Sequence, residues 1–444
     1  MEDFLSSFFA NFETFLNLAG SDPFSAMWFI FLKGGWILVA ITLIWAAKEM
    51  WMDTKQGRFI NSRVWINLRI TVPNISEQTP KAAENLFAQI AGAHASLSWT
   101  EIYMEGAMQT VISMEMECVE GRVSYYVHCL KKNHALIESA IFAQYPDAEI
   151  ELVEDYTNWG PKEFPNDEYE AWGAEWIAVN KKPYSLKTYR DFEDQVSGEL
   201  KDPMATLLEV LSRLGPNEHA WYQITCTPTD APKARADCEK LIDKLKGVKV
   251  EPKKTILDSL ISFPITLTGE VFKVLVGSAE APKKKPEAKD EKFPRMMALS
   301  PGERDVLEAV ERKGSKILYD CKVRIIYVAK KDIMKKSKIA NPFIGAIKQT
   351  NTGNMQSLKP ESKRVGVNGN LWWFKDRRNN IRKSHLIKAY RGRSNWRGMP
   401  NFYLSTEELA TLWHFPILMQ VKAPQLLRTQ AKKAEPPANL PYGM

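Results

Sequence analysis

The sequence lacks the motifs of several enzyme classes. It has no GxxxxGK[ST] phosphate loop, which excludes ATP hydrolysis by that route. It also has no GxGxxG turn after a strand, no GxSxG nucleophile elbow and no HExxH zinc motif. We therefore expect a protein that is not an enzyme and that holds no cofactor.

Cysteine and histidine are scarce and scattered. The five cysteines are an odd number and contain no CxxC pair, which argues against a disulfide framework and is typical of a reducing compartment. Among the six histidines only His128 and His134 approach metal spacing, and no cysteine is well placed to join them. The sequence predicts no metal site.

Lysine and arginine are absent from residues 1–25, and a long apolar run follows them. Residues 27–47 read MWFIFLKGGWILVAITLIWAA and are broken only by Lys33. At about 1.5 Å per residue, about 20 apolar residues cross the hydrocarbon layer of a bilayer. The run therefore predicts a transmembrane helix over residues 27–47.

The charges beside this run predict its orientation. Acidic residues precede it, and Lys48, Lys55, Arg58 and Arg63 follow it. The positive-inside rule then puts the N-terminus outside and the main body in the cytoplasm, as a single-pass protein of the inner (cytoplasmic) membrane. Phenylalanines at helical spacing in residues 1–26 indicate an extracytoplasmic amphipathic segment on the outer membrane surface.

The clearest local signal after the apolar run is a β-hairpin. Alternating segments over residues 111–119 and 122–130 flank the dipeptide Glu120-Gly121. A two-residue turn there places Met114 opposite Val127 and gives one wholly apolar face. With the elements around it, the hairpin predicts the order β-α-β-β-α-β, a ferredoxin-like domain over residues 63–156.

A second ferredoxin-like domain is predicted over residues 170–416. Its second and third strands are separated by an insertion, residues 230–299, in which the Lys/Glu/Pro/Ala-rich stretch 279–293 should be disordered. The amphipathic stretch 256–276 leaves two interpretations open, membrane contact or packing on the protein. The fold class is thus α+β, one N-terminal transmembrane helix followed by two ferredoxin-like units, with an extended proline-rich tail over 417–444.

Positive charge is concentrated in one basic segment, residues 359–397. It holds twelve Lys or Arg residues against two acids, whereas the whole chain has a formal charge of +7. Cations neutralise phosphates and aromatic rings stack on unpaired bases, so this mixture is typical of nucleic-acid binding. The predicted binding residues are Lys375, Arg377, Arg378, Arg382, Lys383, Lys388, Arg391, Arg393, Arg397, Trp372, Trp373 and Trp396.

The basic segment also has other interpretations. A helix over about residues 376–390 would put Arg378, Arg382 and His385 on one face, which suits a nucleic-acid backbone. The same face could dock on an acidic protein partner, contact anionic lipid or remain solvated. The residues alone leave these alternatives open.

Four segments carry a resemblance to a known family. They are IFAQYPDAEIELVEDY (141–156), FEDQVSGELKDP (192–203), IKAYRGRSNWRGMPNFYLSTEELATLWHFP (387–416) and AKKAEPPANLP (431–441). Together they resemble a poorly characterised membrane-protein region of candidate-phyla bacteria. In that family the region occurs beside, or fused ahead of, coupling-type ATPases of type IV secretion and conjugative DNA transfer.

The resemblance implies a partner and a role. In fused relatives the PPANLP-like tail leads into an ATPase domain, whereas this sequence ends at Met444, so the motor is expected on another chain. The expected function is a non-catalytic, membrane-anchored accessory of a conjugative DNA-transfer apparatus that recruits or seats that ATPase, DNA or both. DNA and a second copy of the chain are further candidate partners. The alternative is a membrane-tethered nucleic-acid-binding or scaffold protein unrelated to secretion.

Overall fold

The computed structural model describes residues 14, 17, 23–72, 78–193, 201–229, 232–246, 299–367 and 373–416. The chain divides into two compact units. The smaller comprises Met1–Val64 and Ala95–Gln109, and the larger comprises Trp65–His94 and Thr110–Met444. Both predicted ferredoxin-like regions fall in the larger unit, apart from their residues 63–64 and 95–109.

The smaller unit is helical and corrects one prediction. It contains α1 (Pro23–Ile30), a π-helical turn (Phe31–Gly35), α2 (Trp36–Asn61) and a second π-helical turn (Glu101–Glu105). Over the residues described, no helix combines the length and the apolar content needed to cross a bilayer. The transmembrane helix predicted over residues 27–47 is therefore wrong.

The physical reason is that the apolar run does not coincide with one helix. The π-helical turn divides the run after residue 30, and α2 begins only at Trp36. Beyond Ala47, α2 continues through Lys48, Glu49 and Asp53, so the longer helix is apolar at one end and charged at the other. The predicted amphipathic segment 1–26 lies almost wholly outside the described residues.

The first half of the larger unit has the order β-α-β-β-α-β. Its strands lie in the spatial order β4-β1-β3-β2, and all pairs are antiparallel. The elements are β1 (Trp65–Thr71), α3 (Pro80–Ile90), β2 (Ile112–Val119), β3 (Arg122–Leu130), α4 (His134–Gln144) and β4 (Glu149–Val153). The predicted hairpin register is confirmed, because Met114 pairs with Val127 and Met116 pairs with Tyr125.

The second half repeats this order and is interrupted by further helices. Its strands lie in the order β6-β7-β5-β8. The elements are β5 (Tyr169–Ala178), α5 (Ala205–Ser212), β6 (Glu218–Pro228), α6 (Pro232–Lys246), α7 (Pro301–Ser315), β7 (Leu318–Lys330), α8 (Lys336–Lys348) and β8 (Leu358–Pro360). Helix α6 lies within the predicted insertion, α7 follows it, and the two share a small core around Cys238 and Val310. The predicted disordered stretch, the stretch 256–276 and the tail 417–444 lie outside the described residues.

Three elements follow the second half. They are α9 (Lys375–Arg391), β9 (Phe402–Ser405), which pairs with β7, and α10 (Thr406–Leu412). Ser405 caps α10 in a capping box with Glu408. Short 3-10 turns occur at Ala91–Ala93, Lys131–Asn133, Tyr156–Asn158 and Tyr189–Phe192.

Strands β2 and β6 join the two halves into one nine-stranded antiparallel sheet. The α+β class is confirmed. One face of the sheet is apolar and carries the core: the Tyr222 ring lies 5.6 Å from that of Phe343 in α8. The other face is polar, since Gln223 donates to the Glu115 carboxylate at 2.8 Å and accepts from Arg324 at 3.2 Å.

Candidate cationic cleft

A cleft of about 450 Å³ lies beside α9 on the polar face of the sheet. Five of its lining side chains are basic: Arg364, Arg382, His385, Lys388 and Arg397. We call the cavity that these side chains line the cationic cleft. The remaining lining residues are Glu175, Val365, Leu386, Ala389 and Gly398.

Helix α9 forms one wall of the cleft because it can approach the sheet closely. Its inner side buries Leu386, Ile387 and Tyr390, while His385 and Lys388 stay exposed. Below the helix, β5 carries Gly173. A Cβ atom there would lie 2.6 Å from the Leu386 side chain and 2.7 Å from the Ile325 carbonyl oxygen. Only the absence of a side chain at Gly173 allows this contact.

The loop after β8 forms a second wall and carries Arg364. The Glu361 carboxylate accepts hydrogen bonds from the backbone N–H groups of residues 363–366, at 2.6 to 3.2 Å. Burial opposes ionisation, but these bonds lower the pKa of Glu361. Arg382 of α9 donates to two carbonyls of the same loop, at 2.6 and 3.0 Å. The loop is therefore tied to its own carboxylate and to α9.

The third wall is the loop that carries Arg397. The Lys322 ammonium, from β7, donates to the Arg397 carbonyl at 2.6 Å, and Arg324 donates to the same oxygen at 3.0 Å. Burial lowers the pKa of Lys322 to about 8, against the opposing effect of Glu175. Gly398 has φ +95°, and a Cβ there would lie 2.0 Å from the Glu175 Oε2 atom. The wall therefore requires glycine at this position.

The residues that line the cleft do not neutralise its positive charge. Its one lining carboxylate, Glu175, already lies 3.5 Å from Lys322 and 3.7 Å from Arg324, neither of which lines the cleft. In the described part of the chain, no hydrogen bond or ion pair involves the side chains of Arg364, Lys388 or Arg397. Convergent cations without partners attract an anion, and guanidinium groups match phosphate and carboxylate geometry.

Three of the predicted binding residues meet in this cleft: Arg382, Lys388 and Arg397. Lys375, Arg377 and Arg378 instead lie in the first turn of α9, outside the cleft lining. Trp373 and Trp396 are exposed, at 64% and 72%. Trp372 lies outside the described residues.

The three other predicted cations hold the fold together. Lys383 forms an ion pair with Glu170 of β5, and Arg391 donates to the Trp159 carbonyl at 2.9 Å. Arg393 is buried and donates to the Glu115 carboxylate at 3.0 Å. The partners in these contacts lie far away in the sequence. The density of positive charge along the sequence therefore cannot distinguish these three buried or paired cations from the exposed ones.

Two cleft residues, Arg364 and His385, were absent from the predicted set. Arg364 belongs to the basic segment but lies outside its aromatic-rich part, and no local signal marks the loop that presents it. His385 follows Arg382 by three residues, a spacing that predicts both side chains on one face of a helix. In the described ranges, no group of three or more His, Cys, Asp or Glu residues could hold a metal ion.

Comparison with known proteins adds no family to this description. No protein-family model matches the chain, and no curated protein is significantly similar to it.

Proposed function

We propose that this chain is a non-catalytic protein that binds nucleic acid in the cationic cleft. We further propose that it serves a type IV secretion-like DNA-transfer apparatus, beside a coupling-type ATPase supplied by another chain. The observation that carries the nucleic-acid part is the convergence of Arg364, Lys388 and Arg397 around one cavity without acidic partners. The transfer setting rests on the four resembling segments of the sequence. The predicted transmembrane anchor is not part of this proposal.

Phosphate is the anion that best suits the cleft. Nucleic-acid affinity comes largely from cations that neutralise phosphates and release counterions. Beside the cleft, Trp396 precedes Arg397 in the chain and exposes 72% of its surface. An exposed ring next to a phosphate-binding cation offers a stacking surface to an unpaired base. The arrangement therefore favours a polynucleotide over a simple carboxylate ligand.

The direct test is the binding of a fluorescein-labelled oligonucleotide of about twelve nucleotides, measured by anisotropy against salt. The double variant Arg364→Ala/Arg397→Ala should weaken binding at least tenfold and make the slope of log K against log salt shallower by about 1 to 2. Both side chains are exposed, so the fold should tolerate their removal.

Two controls accompany this variant, and the second of them matches its loss of two positive charges. Arg377→Ala removes an exposed cation of α9 that does not line the cleft, and Lys131→Ala/Lys132→Ala removes two exposed cations from a turn of the same unit. Neither should change affinity by more than about twofold. Equal losses in all three variants would mean diffuse charge rather than a site. No binding by the wild-type protein would refute the nucleic-acid proposal.

The proposed role beside an ATPase in DNA transfer needs a separate measurement. The purified chain is mixed with a phosphate-loop ATPase of the coupling type, and the pair is followed by size-exclusion chromatography. Co-elution would support the accessory role. Separate elution, with DNA binding intact, would leave a nucleic-acid-binding protein and remove the secretion assignment.

A further inference from the structure

The cationic cleft has the dimensions of a pocket for one small group rather than of a track for a long strand. Its volume is about 450 Å³. Clefts that bury small ligands measure roughly 300 to 1,000 Å³, whereas nonspecific single-strand binders follow the backbone over roughly four to sixteen nucleotides. About one nucleotide fits in the space available.

The charge of the cleft also exceeds what one internal phosphate offers. Arg364 and Arg397 bring two uncommitted guanidinium groups and Lys388 brings an ammonium to the same cavity, beside Arg382, which already donates to two loop carbonyls. An internal phosphodiester carries one negative charge, whereas a phosphate monoester carries about −1.5 to −2 at pH 7 and three acceptor oxygens. A monoester therefore satisfies more of these donors than a diester does.

The two fixed walls are arranged for such a group. Glu361 and the Lys322–Arg324 pair bind the backbone of the loops that carry Arg364 and Arg397, and leave both guanidinium groups uncommitted. Two guanidinium forks that line one cavity can both bind oxygens of one terminal phosphate. A strand that continued in both directions would have to leave the cavity twice.

From this geometry we infer that the cationic cleft captures a phosphate monoester at the end of a nucleic-acid strand. This inference rests on the proposed function, since it names the part of the nucleic acid that enters the same site. The chain would then recognise a strand terminus rather than a sequence or an internal segment.

The experiment compares one oligonucleotide in three forms: with a 5′-phosphate, with a 3′-phosphate and with hydroxyls at both ends, each labelled internally. We expect the preferred phosphorylated end to bind at least tenfold more tightly than the hydroxyl form. The Arg364→Ala/Arg397→Ala variant should lose this preference, and Arg377→Ala should retain it. A nucleoside monophosphate should compete with the phosphorylated strand better than inorganic phosphate does.

The outcomes separate this inference from the proposed function. Equal affinity for all three forms, still sensitive to Arg364→Ala/Arg397→Ala, would overturn terminal capture and leave nucleic-acid binding in place. A preference that survives in the double variant would also overturn it, because the preference would then arise elsewhere. Absence of binding by every form would overturn both.

Discussion

The Arg393 guanidinium donates to the Glu115 carboxylate at 3.0 Å, and both side chains are buried. The two residues are 278 positions apart, on the loop after α9 and on β2. Arg393 also pairs with Asp155, whose pKa falls to about 2 because hydrogen bonding and charge from Arg393 outweigh the effect of burial. The three groups fasten the loop after α9 to the polar face of the first half.

Removal of the arginine should therefore leave two carboxylates without their cation. We expect Arg393→Ala to lower the free energy of unfolding by about 3 to 5 kcal/mol, measured by urea denaturation. The matched control is Arg213→Ala, which removes a surface pair with Glu209 and should cost less than about 1 kcal/mol. Equal free energies of unfolding for the two variants would show that the buried ion pair stabilises the fold no more than the surface pair does.

The close approach of Gly398 to Glu175 gives a second prediction. Gly398→Ala should lower the free energy of unfolding by about 1 to 3 kcal/mol, because its Cβ would collide with the carboxylate and its φ is positive. The shift of this wall should also weaken oligonucleotide binding several-fold through Arg397. Gly353→Ala, where no atom lies within 4 Å of the added Cβ, should alter neither quantity. Normal DNA binding by Gly398→Ala would show that this loop does not position Arg397.

Glu361 should act as a positioning residue for Arg364. Glu361→Gln replaces an ionised acceptor of several backbone N–H groups with an amide, so the free energy of unfolding should fall by about 2 to 3 kcal/mol. Oligonucleotide affinity should fall as well, although Glu361 does not line the cleft. Glu163→Gln, at an exposed carboxylate, is the control and should leave both unchanged. Lower stability with unaltered affinity would refute the positioning role.

Glu117 should make stability depend on pH near neutrality. Burial raises its pKa to about 7, and the charges of Glu115 and Asp155 add to the shift, while a hydrogen bond with Tyr126 opposes it. A raised pKa means that the folded state holds a proton that the unfolded state has released. This stabilisation is complete below about pH 4 and is lost as the pH rises to about 7.

The measurement compares urea unfolding of the wild-type protein and Glu117→Gln between pH 5 and pH 8. The variant should gain up to about 3 kcal/mol relative to wild type across this interval, because the amide has no proton to lose. Glu149→Gln, at an exposed position of β4, should follow the wild-type curve. Parallel curves for the wild type and Glu117→Gln would contradict the raised pKa.

Local patterns accounted for part of the fold. The β2–β3 hairpin could be predicted to the residue, because alternation and a two-residue turn fix its register within the segment itself. The pairing of β2 with β6 could not, since residues such as Met116 and Tyr222 are over one hundred positions apart and no local feature selects the partner. The apolar run failed for a different reason: hydropathy reports composition, and it does not report where a helix changes its winding.

The candidate site, like the fold, could be predicted from the sequence only in part. Charge density identified Arg382, Lys388 and Arg397, which line the cleft, but equally Lys383 and Arg393, which are buried in ion pairs. The difference lies in acidic partners on β2 and β5, and these become neighbours only in the folded sheet. Glu115 illustrates this: it is fully buried, and its carboxylate accepts hydrogen bonds from Tyr156 and Gln223, which lie far away in the sequence.

The pairing of β2 with β6 has a practical consequence for dissection of the chain. Residues 112–119 pair along their whole length with the second half. A fragment that ended between the halves would expose this strand as a bare hydrogen-bonding edge, with apolar side chains on one side. Such a fragment should self-associate on expression, whereas one that spans both halves should stay monodisperse. We therefore expect the two halves of the sheet to fold together, and neither half to keep its structure when it is produced alone.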